Sequence, residues 1–388
     1  MFVAKKKDGE FVTLLYQKKE AFREKWKKEK FFCPACNNEV IPKLGEKKRY
    51  HFAHVRKECA TSSESESLYH LEGKRVLYEL LINSGEVSIE HYLKETNQRV
   101  DLLWKKGEQT FAIEFQCSNI SLSSIQKRTT LYESQNLIPI WIISKNRFRS
   151  LKTLTSINST NWYFLQKNDK IKFPYIISFC PLERKFTYIF PFYPFSPHKT
   201  FISMYKSEEL ILTEPPTVPP LPNWKTQWLH YKRNWRYEYC LYSQQLHLKK
   251  YCYAKYGIPL SQIPAIIGIP VKDQYLIETP LIEWQTYIYF RCIHKAPSDF
   301  IINLSSVHHH LLKLESNNKI KLRLLPLIKE TNTMVPINSY LTILSSLGIL
   351  EDLGNNNFRK KANPPIPLTI EQAVKEDEKV INRLMLSF

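Results

Sequence analysis

The chain has 388 residues, of which 43% are hydrophobic and 24% are charged, and it carries 56 Lys or Arg against 37 Asp or Glu, a net charge of +19. This composition excludes a disordered or fibrous protein, and the length allows two or three domains. The positive excess favours a polyanionic partner, with nucleic acid ahead of an anionic membrane.

Several common classes of protein are excluded by motifs that the chain lacks. It has nine glycines and neither a Gly-x-x-x-x-Gly-Lys nor a Gly-x-Gly-x-x-Gly sequence, so ATPases and dinucleotide enzymes built on those loops are excluded. Apolar runs such as 137–143 and 263–271 are far shorter than the roughly 20 residues of a membrane helix, and the first residues lack a secretory signal. We expect a cytoplasmic protein that does not insert into a membrane and keeps its cysteines reduced.

Residues 1–60 are predicted to form a basic N-terminal module. They hold 16 Lys or Arg against 8 Asp or Glu. The pattern indicates a hairpin around Asp8 and Gly9, a basic helix over 18–30 and a strand-rich unit over 31–54. The helix supplies candidate contacts to a DNA backbone at Lys25, Lys27 and Lys28.

Cysteines and histidines of this module form a candidate zinc site. The ligands would be Cys33, Cys36, His51 and His54, four groups of the type and number that tetrahedral zinc takes. The histidine pair is more closely spaced than in the usual finger, so Cys59 stays an alternative to one histidine. Few apolar residues lie in this segment, and zinc would therefore stabilise its fold.

Residues 61–170 are predicted to form an α/β domain with the element order αββαβ. The pattern indicates a helix ending near 82, strands over 98–104 and 110–116, a helix over 121–136 and a strand over 138–144.

Two carboxylates interrupt the apolar strands of this domain. If the strands pair across a turn at 105–109, Asp101 lies near Ile113, about one residue from Glu114 in register, and Gln116 shares the face of Glu114. Half-buried like charges are costly unless they are neutralised, and Mg²⁺ or Mn²⁺ prefers oxygen ligands. A single strand carboxylate usually faces solvent, but two on adjoining strands favour a metal site.

A third carboxylate and two basic groups lie on one face of the preceding helix. Glu66, His70 and Lys74 are spaced i, i+4, i+8 and form one stripe. The alternative is a solvated helix face with a weak surface ion pair.

The rest of the chain divides at a proline-rich stretch. Residues 171–224 are predicted to be an irregular, stiff connector, because prolines accumulate there, and 225–388 a mostly helical domain. The segment 340–350 is compatible with a helix-turn unit of winged-helix type, although plain core is the commoner role of such a sequence.

The motifs together resemble the PD-(D/E)xK nuclease superfamily and, over a longer stretch, the competence protein CoiA family. The resemblance covers about the first 150 residues well and the remainder loosely. Its motifs are Cys33-x-x-Cys36, His51-Phe-Ala-His54, Ser67-Leu-Tyr-His70, Arg99-Val-Asp101, Ile113-Glu114-Phe115-Gln116, Arg128-Thr-Thr-Leu-Tyr132 and Trp284-Gln285.

The resemblance implies a restriction-endonuclease-like fold and a Mg²⁺- or Mn²⁺-dependent deoxyribonuclease. It would act on incoming or recombining DNA, single-stranded or branched, during natural transformation, together with recombination proteins such as a RecA-type recombinase. Asp101 and Glu114 would bind the metal, with Glu66, His70, Lys74 and Gln116 completing the candidate catalytic set. Arg128 and Tyr132 are placed one helical turn apart to contact phosphate or sugar, although a tyrosine on a helix is more often packed.

One departure from the superfamily pattern supports a different function. Gln116 stands where a lysine is usual, and Lys74 is a possible substitute for it. The alternative to an enzyme is therefore a DNA-binding recombination mediator that retains the nuclease fold without turnover. A zinc-dependent adaptor that docks proteins is a third interpretation, but it leaves the +19 charge unexplained.

Overall fold

The computed structural model describes residues 1–26, 28–45, 49–55, 67–212, 221, 223–242 and 246–384. No helix within these ranges is long and apolar enough to cross a bilayer.

The N-terminal module is a small antiparallel sheet with one helix packed on it. Its elements are β1 (Val3–Lys6), β2 (Phe11–Thr13), α1 (Lys19–Trp26), β3 (Phe31–Phe32), β4 (Glu39–Lys43) and β5 (His51–His54), and the strand order is β2-β1-β3-β4-β5. Phe22, Phe31 and Phe52 form the centre of its core. The predicted hairpin and strand-rich unit are confirmed, and the basic helix is confirmed over Lys19–Trp26.

The middle of the chain forms an eight-stranded mixed sheet. Its elements are α2 (Leu68–Leu81), β6 (Glu86–Leu93), β7 (Gln98–Lys106), β8 (Gln109–Gln116), α3 (Leu122–Glu133), β9 (Ile138–Ser144), β10 (Leu154–Ser156), α4 (Ser159–Trp162), β11 (Ile176–Cys180), β12 (Lys185–Pro194) and β13 (Lys199–Ser207). The strand order is β10-β13-β12-β11-β9-β8-β7-β6, with β8, β9 and β11 parallel. The α/β prediction is confirmed, but the order αββαβ omitted β6.

The prediction of an irregular connector over 171–224 is wrong for 176–207, where β11, β12 and β13 continue the sheet. Proline is tolerated in β12 because pairing with β11 ends at Ile189, so Pro191 has a neighbouring strand on one side only. The pairing of β12 with β13 also shifts its register between Pro191 and Tyr193, so the strand is irregular just after this proline.

The register of β7 and β8 also differs from the predicted one. Trp104 pairs with Phe111, and Lys106 pairs with Gln109, so the turn contains only residues 107 and 108. Gly107 has φ of +60°, as the first position of a type II′ turn requires. Continued along the strands, this register sets Asp101 opposite Glu114 rather than Ile113.

The C-terminal part is mostly helical and carries a three-stranded sheet. Its elements are α5 (Trp224–Asn234), α6 (Cys240–Tyr242), α7 (Leu246–Tyr256), α8 (Leu281–Ile288), β14 (Ile301–Asn303), α9 (Leu304–Ser316), α10 (Met334–Ser346), β15 (Leu350–Asp352), β16 (Asn357–Lys360) and α11 (Ile370–Arg383). The sheet order β14-β16-β15, with α9 and α10 between the first two strands in sequence, is the order of a winged-helix unit.

Candidate active site and metal centre

Helix α2 lies unusually close to the sheet and brings its polar stripe over β7. The Ser67 hydroxyl accepts a hydrogen bond from the His70 amide at 3.2 Å and so caps the start of the helix. A Cβ on Gly73 would lie 1.9 Å from the ring of Phe115, so only glycine permits this approach. His70 and Lys74, on either side of that glycine, therefore reach Asp101.

Asp101 is a buried carboxylate, 7% exposed, surrounded by donors. Its Oδ2 accepts from the Phe115 amide at 3.0 Å and lies 3.3 Å from Nε2 of His70, and its Oδ1 lies 3.8 Å from Nζ of Lys74. Burial opposes ionisation, but the charges of His70 and Lys74 outweigh it and hold the pKa of Asp101 far below its usual range. Asp101 is therefore ionised under all ordinary conditions.

A second carboxylate near Asp101 comes from Glu90 in β6, a residue that the sequence did not single out. Glu90 is 1% exposed, has φ of +52° and stands opposite Asp101, where the pairing of β6 with β7 is interrupted. Its Oε1 binds Nζ of Lys74, which is fully buried. Its Oε2 accepts from the amides of Phe2 and Val3 at 2.6 and 2.9 Å, which ties the first strand of the N-terminal module to this site.

Glu114 is the third carboxylate across β6, β7 and β8, and it is held by α3. Its Oε1 accepts hydrogen bonds from Arg128 and from the Tyr132 hydroxyl, and the side chain is 2% exposed. Burial raises the pKa of Glu114 to about 7, because the stabilising charge of Arg128 only partly offsets burial and the charge of Asp101 adds to it. Glu114 thus changes protonation near neutral pH.

The structure contradicts the predicted contact of Tyr132 with DNA, and it shows which group the amide of Gln116 binds. Tyr132 is fully buried against Glu114, so its hydroxyl cannot reach DNA, whereas Arg128 keeps part of its side chain exposed. Nε2 of Gln116 donates to the Ser118 carbonyl at 3.1 Å, which turns the amide nitrogen toward the following loop.

The candidate DNA contacts on the N-terminal helix are only partly described. Lys25 and Lys28 are exposed, in agreement with a surface role, and contact with DNA stays a prediction for both. Lys27 and Glu66, both predicted to lie on helices, are outside the described residues.

The donor set around Asp101 and Glu114 consists of carboxylate oxygens, which suits Mg²⁺ or Mn²⁺. Both hydrogen bonds to Glu114 fall on Oε1, so its second oxygen is not committed to Arg128 or Tyr132. Asp101 and Glu114 are the residues that would hold a divalent cation here, and Glu66 stays the predicted third ligand.

The sulfur and imidazole groups of the N-terminal module form a compact set. Across the described ranges, Cys33, Cys36 and His54 are the one set of three ligating groups whose atoms all lie within 4.8 Å of one another. Sγ of Cys36 lies 3.3 Å from Nε2 of His54. Tetrahedral zinc with ordinary bond lengths places such a sulfur and nitrogen about 3.6 Å apart. The three side chains could therefore hold a metal such as zinc.

His51 does not join this set, contrary to the prediction. It lies three residues before His54 on β5, and side chains an odd number of residues apart on a strand point to opposite faces. Its Nδ1 instead lies 2.8 Å from the Arg49 carbonyl oxygen. Cys59, the alternative ligand, lies outside the described residues, so its role stays a prediction.

Comparison with known proteins covers nearly the whole chain. Three family models match: "Competence protein CoiA, N-terminal domain" over 14–62, "Competence protein CoiA, nuclease-like domain" over 66–213 and "Competence protein CoiA, C-terminal domain" over 224–374. The chain is also 32% identical, over 278 residues, to "Competence protein CoiA" of Bacillus subtilis (strain 168), which covers 69% of this chain and 73% of the relative. No solved structure matches.

Asp101, Glu90, Glu114 and their cationic partners thus lie within the nuclease-like match, and the Cys/His set lies within the N-terminal one. The chain belongs to the competence protein CoiA family.

Proposed function

We propose that this competence protein is a Mg²⁺- or Mn²⁺-dependent deoxyribonuclease with a PD-(D/E)xK-type core, acting on incoming or recombining DNA in the cytoplasm during natural transformation. The observation that carries the proposal is the pair of buried carboxylates, Asp101 and Glu114, opposite each other on β7 and β8 of a nuclease-like domain. Their pKa values are moved in opposite directions, which is frequent at functional sites.

In this proposal Asp101 and Glu114 hold the cation, and Glu66, which precedes α2 in the sequence, is the predicted third ligand. When bound, the metal lowers the pKa of a water molecule and stabilises charge on the phosphate. Glu114 gives up its proton on binding, since its pKa lies near 7. Lys74 is fully buried and paired with Glu90, so it positions Asp101 instead of replacing the missing lysine by touching phosphate.

A second candidate function is a DNA-binding recombination mediator without turnover. It is favoured by Arg128, whose guanidinium binds the same carboxylate that a metal would need, and by Gln116, whose amide is bound to Ser118. In that case the hydrogen-bonded network around Asp101 and Glu114 stabilises the domain, and the protein binds DNA without hydrolysing it.

The N-terminal module would serve both functions as a zinc-stabilised DNA contact. Cys33, Cys36 and His54 hold the zinc, with Cys59 as the predicted fourth ligand. Two exposed lysines, Lys25 in α1 and Lys28 just after it, together with Lys27, would add non-specific contact to the phosphate backbone. The partners proposed with this protein are DNA and a RecA-type recombinase.

The test compares the full-length protein with the Asp101→Asn and Glu114→Gln variants. Each is incubated with labelled single-stranded, duplex and branched DNA, with Mg²⁺, with Mn²⁺ or with neither, and both cleavage and binding are scored. Glu108→Gln is the matched control, because Glu108 is an exposed carboxylate at the turn of the same hairpin.

Cleavage that needs the divalent cation, is lost in both site variants and survives in the control supports the nuclease. Metal-independent binding without cleavage by any variant contradicts it and supports the mediator. Circular dichroism and zinc content of each variant show whether a loss of cleavage comes from unfolding.

A further inference from the structure

The C-terminal part has a winged-helix order, but its second helix is a poor reader of DNA. Helix α10 contains neither Lys nor Arg, and the side chains of Tyr340, Leu341 and Leu344 are buried. Helix α10 therefore offers no cation to a polyanion.

A cavity of about 790 Å³ lies beside the start of α8. Its wall comes from α7, the start of α8, the segment 318–321 and Pro197 in the turn between β12 and β13. This volume is typical of pockets that hold a small organic ligand.

An aromatic wall closes one side of the cavity. The rings of Tyr251 and Tyr287 are edge-to-face with centroids 4.9 Å apart, and Tyr287 is almost fully buried. Tyr251 is only half-buried and is also held by Tyr256, with centroids 5.5 Å apart. A fixed, partly exposed ring of this kind is a platform on which a nucleobase can stack.

Cations line the cavity beside the aromatic wall. Lys319 and Lys321 are both exposed and line the cavity on either side of the buried Ile320. The Thr279 hydroxyl accepts from the Lys321 amide at 2.7 Å, and the Glu278 amide donates to the Lys321 carbonyl at 2.8 Å. The lysine pair is therefore on a well-anchored backbone.

Acceptors complete the cavity. Glu278 and Glu283 both line it, and Oε1 of Glu283 lies 2.8 Å from Nε2 of His247, so Glu283 is already engaged. Glu278 has an intermediate exposure and presents a carboxylate that can accept from the exocyclic amine of a base. The stacking ring and the acceptor suit the base of a nucleotide, and the cations suit its phosphate.

We propose that this cavity binds a nucleotide of single-stranded DNA, with its base on Tyr251 and its phosphates at Lys319 and Lys321. The proposal rests on DNA as the partner of this protein but not on hydrolysis at Asp101 and Glu114. It gives the C-terminal part the role of holding a strand.

The test uses the full-length Asp101→Asn variant, so that bound DNA is not cut. A single-stranded oligonucleotide with one 5-bromodeoxyuridine is irradiated on the protein, and the crosslinked peptide is identified by mass spectrometry. We expect crosslinking at Tyr251 and its loss in Tyr251→Leu, with single-strand binding retained at other contacts.

A salt titration tests the lysines. The Lys319→Gln/Lys321→Gln variant loses two phosphate contacts. The plot of log affinity against log salt for single strands should therefore become less steep by about 1.4. The matched control is Lys272→Gln/Lys375→Gln, two exposed lysines outside the cavity lining, and its slope should fall less for single strands than that of the cavity pair.

Three outcomes overturn the proposal: crosslinks confined to other segments, equal slopes for the cavity and control pairs, or competition by an acidic peptide but not by unlabelled oligonucleotide. Cleavage of DNA by the protein with Asp101 intact, together with any of these, leaves the nuclease proposal standing. Crosslinking at Tyr251, combined with no cleavage by the protein with Asp101 intact, supports the nucleotide site and contradicts the nuclease proposal.

Discussion

The stability of the protein without Mg²⁺ or Mn²⁺ should fall as the pH rises from about 5 to 8, because of Glu114. Burial raises the pKa of Glu114 to about 7, against an ordinary value of 4.5. Between these two values the folded protein keeps a proton that the unfolded chain has lost, so deprotonation with rising pH favours unfolding. The interval corresponds to about 3 kcal/mol of unfolding free energy.

The titration of Asp101 does not contribute to the change in stability between pH 5 and pH 8. Its pKa is lowered in the folded protein, so its contribution to stability is lost only when the pH falls below the ordinary range of a carboxyl group. The assay is urea unfolding at pH 5, 6, 7 and 8 in buffers free of Mg²⁺ and Mn²⁺ but without chelator, so that zinc stays bound. Glu114→Gln is measured in parallel.

The free energy of wild type relative to Glu114→Gln should decline by up to about 3 kcal/mol from pH 5 to pH 8. Since the other titrating groups are shared, their pH dependence cancels in this difference. Addition of Mn²⁺ should stabilise the wild type at pH 8 more than at pH 5. A difference that does not change with pH would refute the protonation argument.

Three further changes have definite expected outcomes. Glu90→Gln removes the charge that balances buried Lys74, and urea unfolding should show a loss of about 3 kcal/mol or more; a loss below 1 kcal/mol would contradict the pairing. Elemental analysis should find one zinc per chain, lost in Cys36→Ser and retained in His51→Ala, and equal loss in both would contradict the ligand set. Gly73→Ala should lower the thermal midpoint by several degrees, since its Cβ would overlap an aromatic ring, and an unchanged midpoint would contradict the close approach.

Much of the middle domain could be predicted from its sequence because its signals are local. The strand Ile138–Ser144 is mostly apolar, and it was predicted with its observed bounds. Asp101 and Glu114 stand out because they interrupt apolar strands. Their exact pairing did not follow, because it depends on a two-residue turn with Gly107 at positive φ, which shifts the register by one residue.

The parts that the sequence did not predict depend on distant contacts. Glu90 is an ordinary polar residue by sequence, and its role comes from the amides of Phe2 and Val3, which are 88 and 87 residues away. Tyr132 looked available to DNA because nothing in its helix shows that it faces Glu114. The prolines of β12 predicted irregular structure because the strand's one-sided pairing is a property of the whole sheet.

The charge balance of the site links its two candidate functions. Three carboxylates, Glu90, Asp101 and Glu114, lie across adjoining strands, and Lys74 and Arg128 supply two fixed positive charges. Leaving His70 aside, these groups leave one carboxylate without a matching cation, and the pKa of Glu114 near 7 means that a proton neutralises it below about pH 7 in the absence of metal. A divalent cation competes with that proton for the same carboxylate, so its affinity must rise with pH through this range. If the affinity for the cation does not rise with pH, Arg128 and the proton are sufficient to neutralise Glu114. That result would favour a protein that holds DNA over one that cuts it.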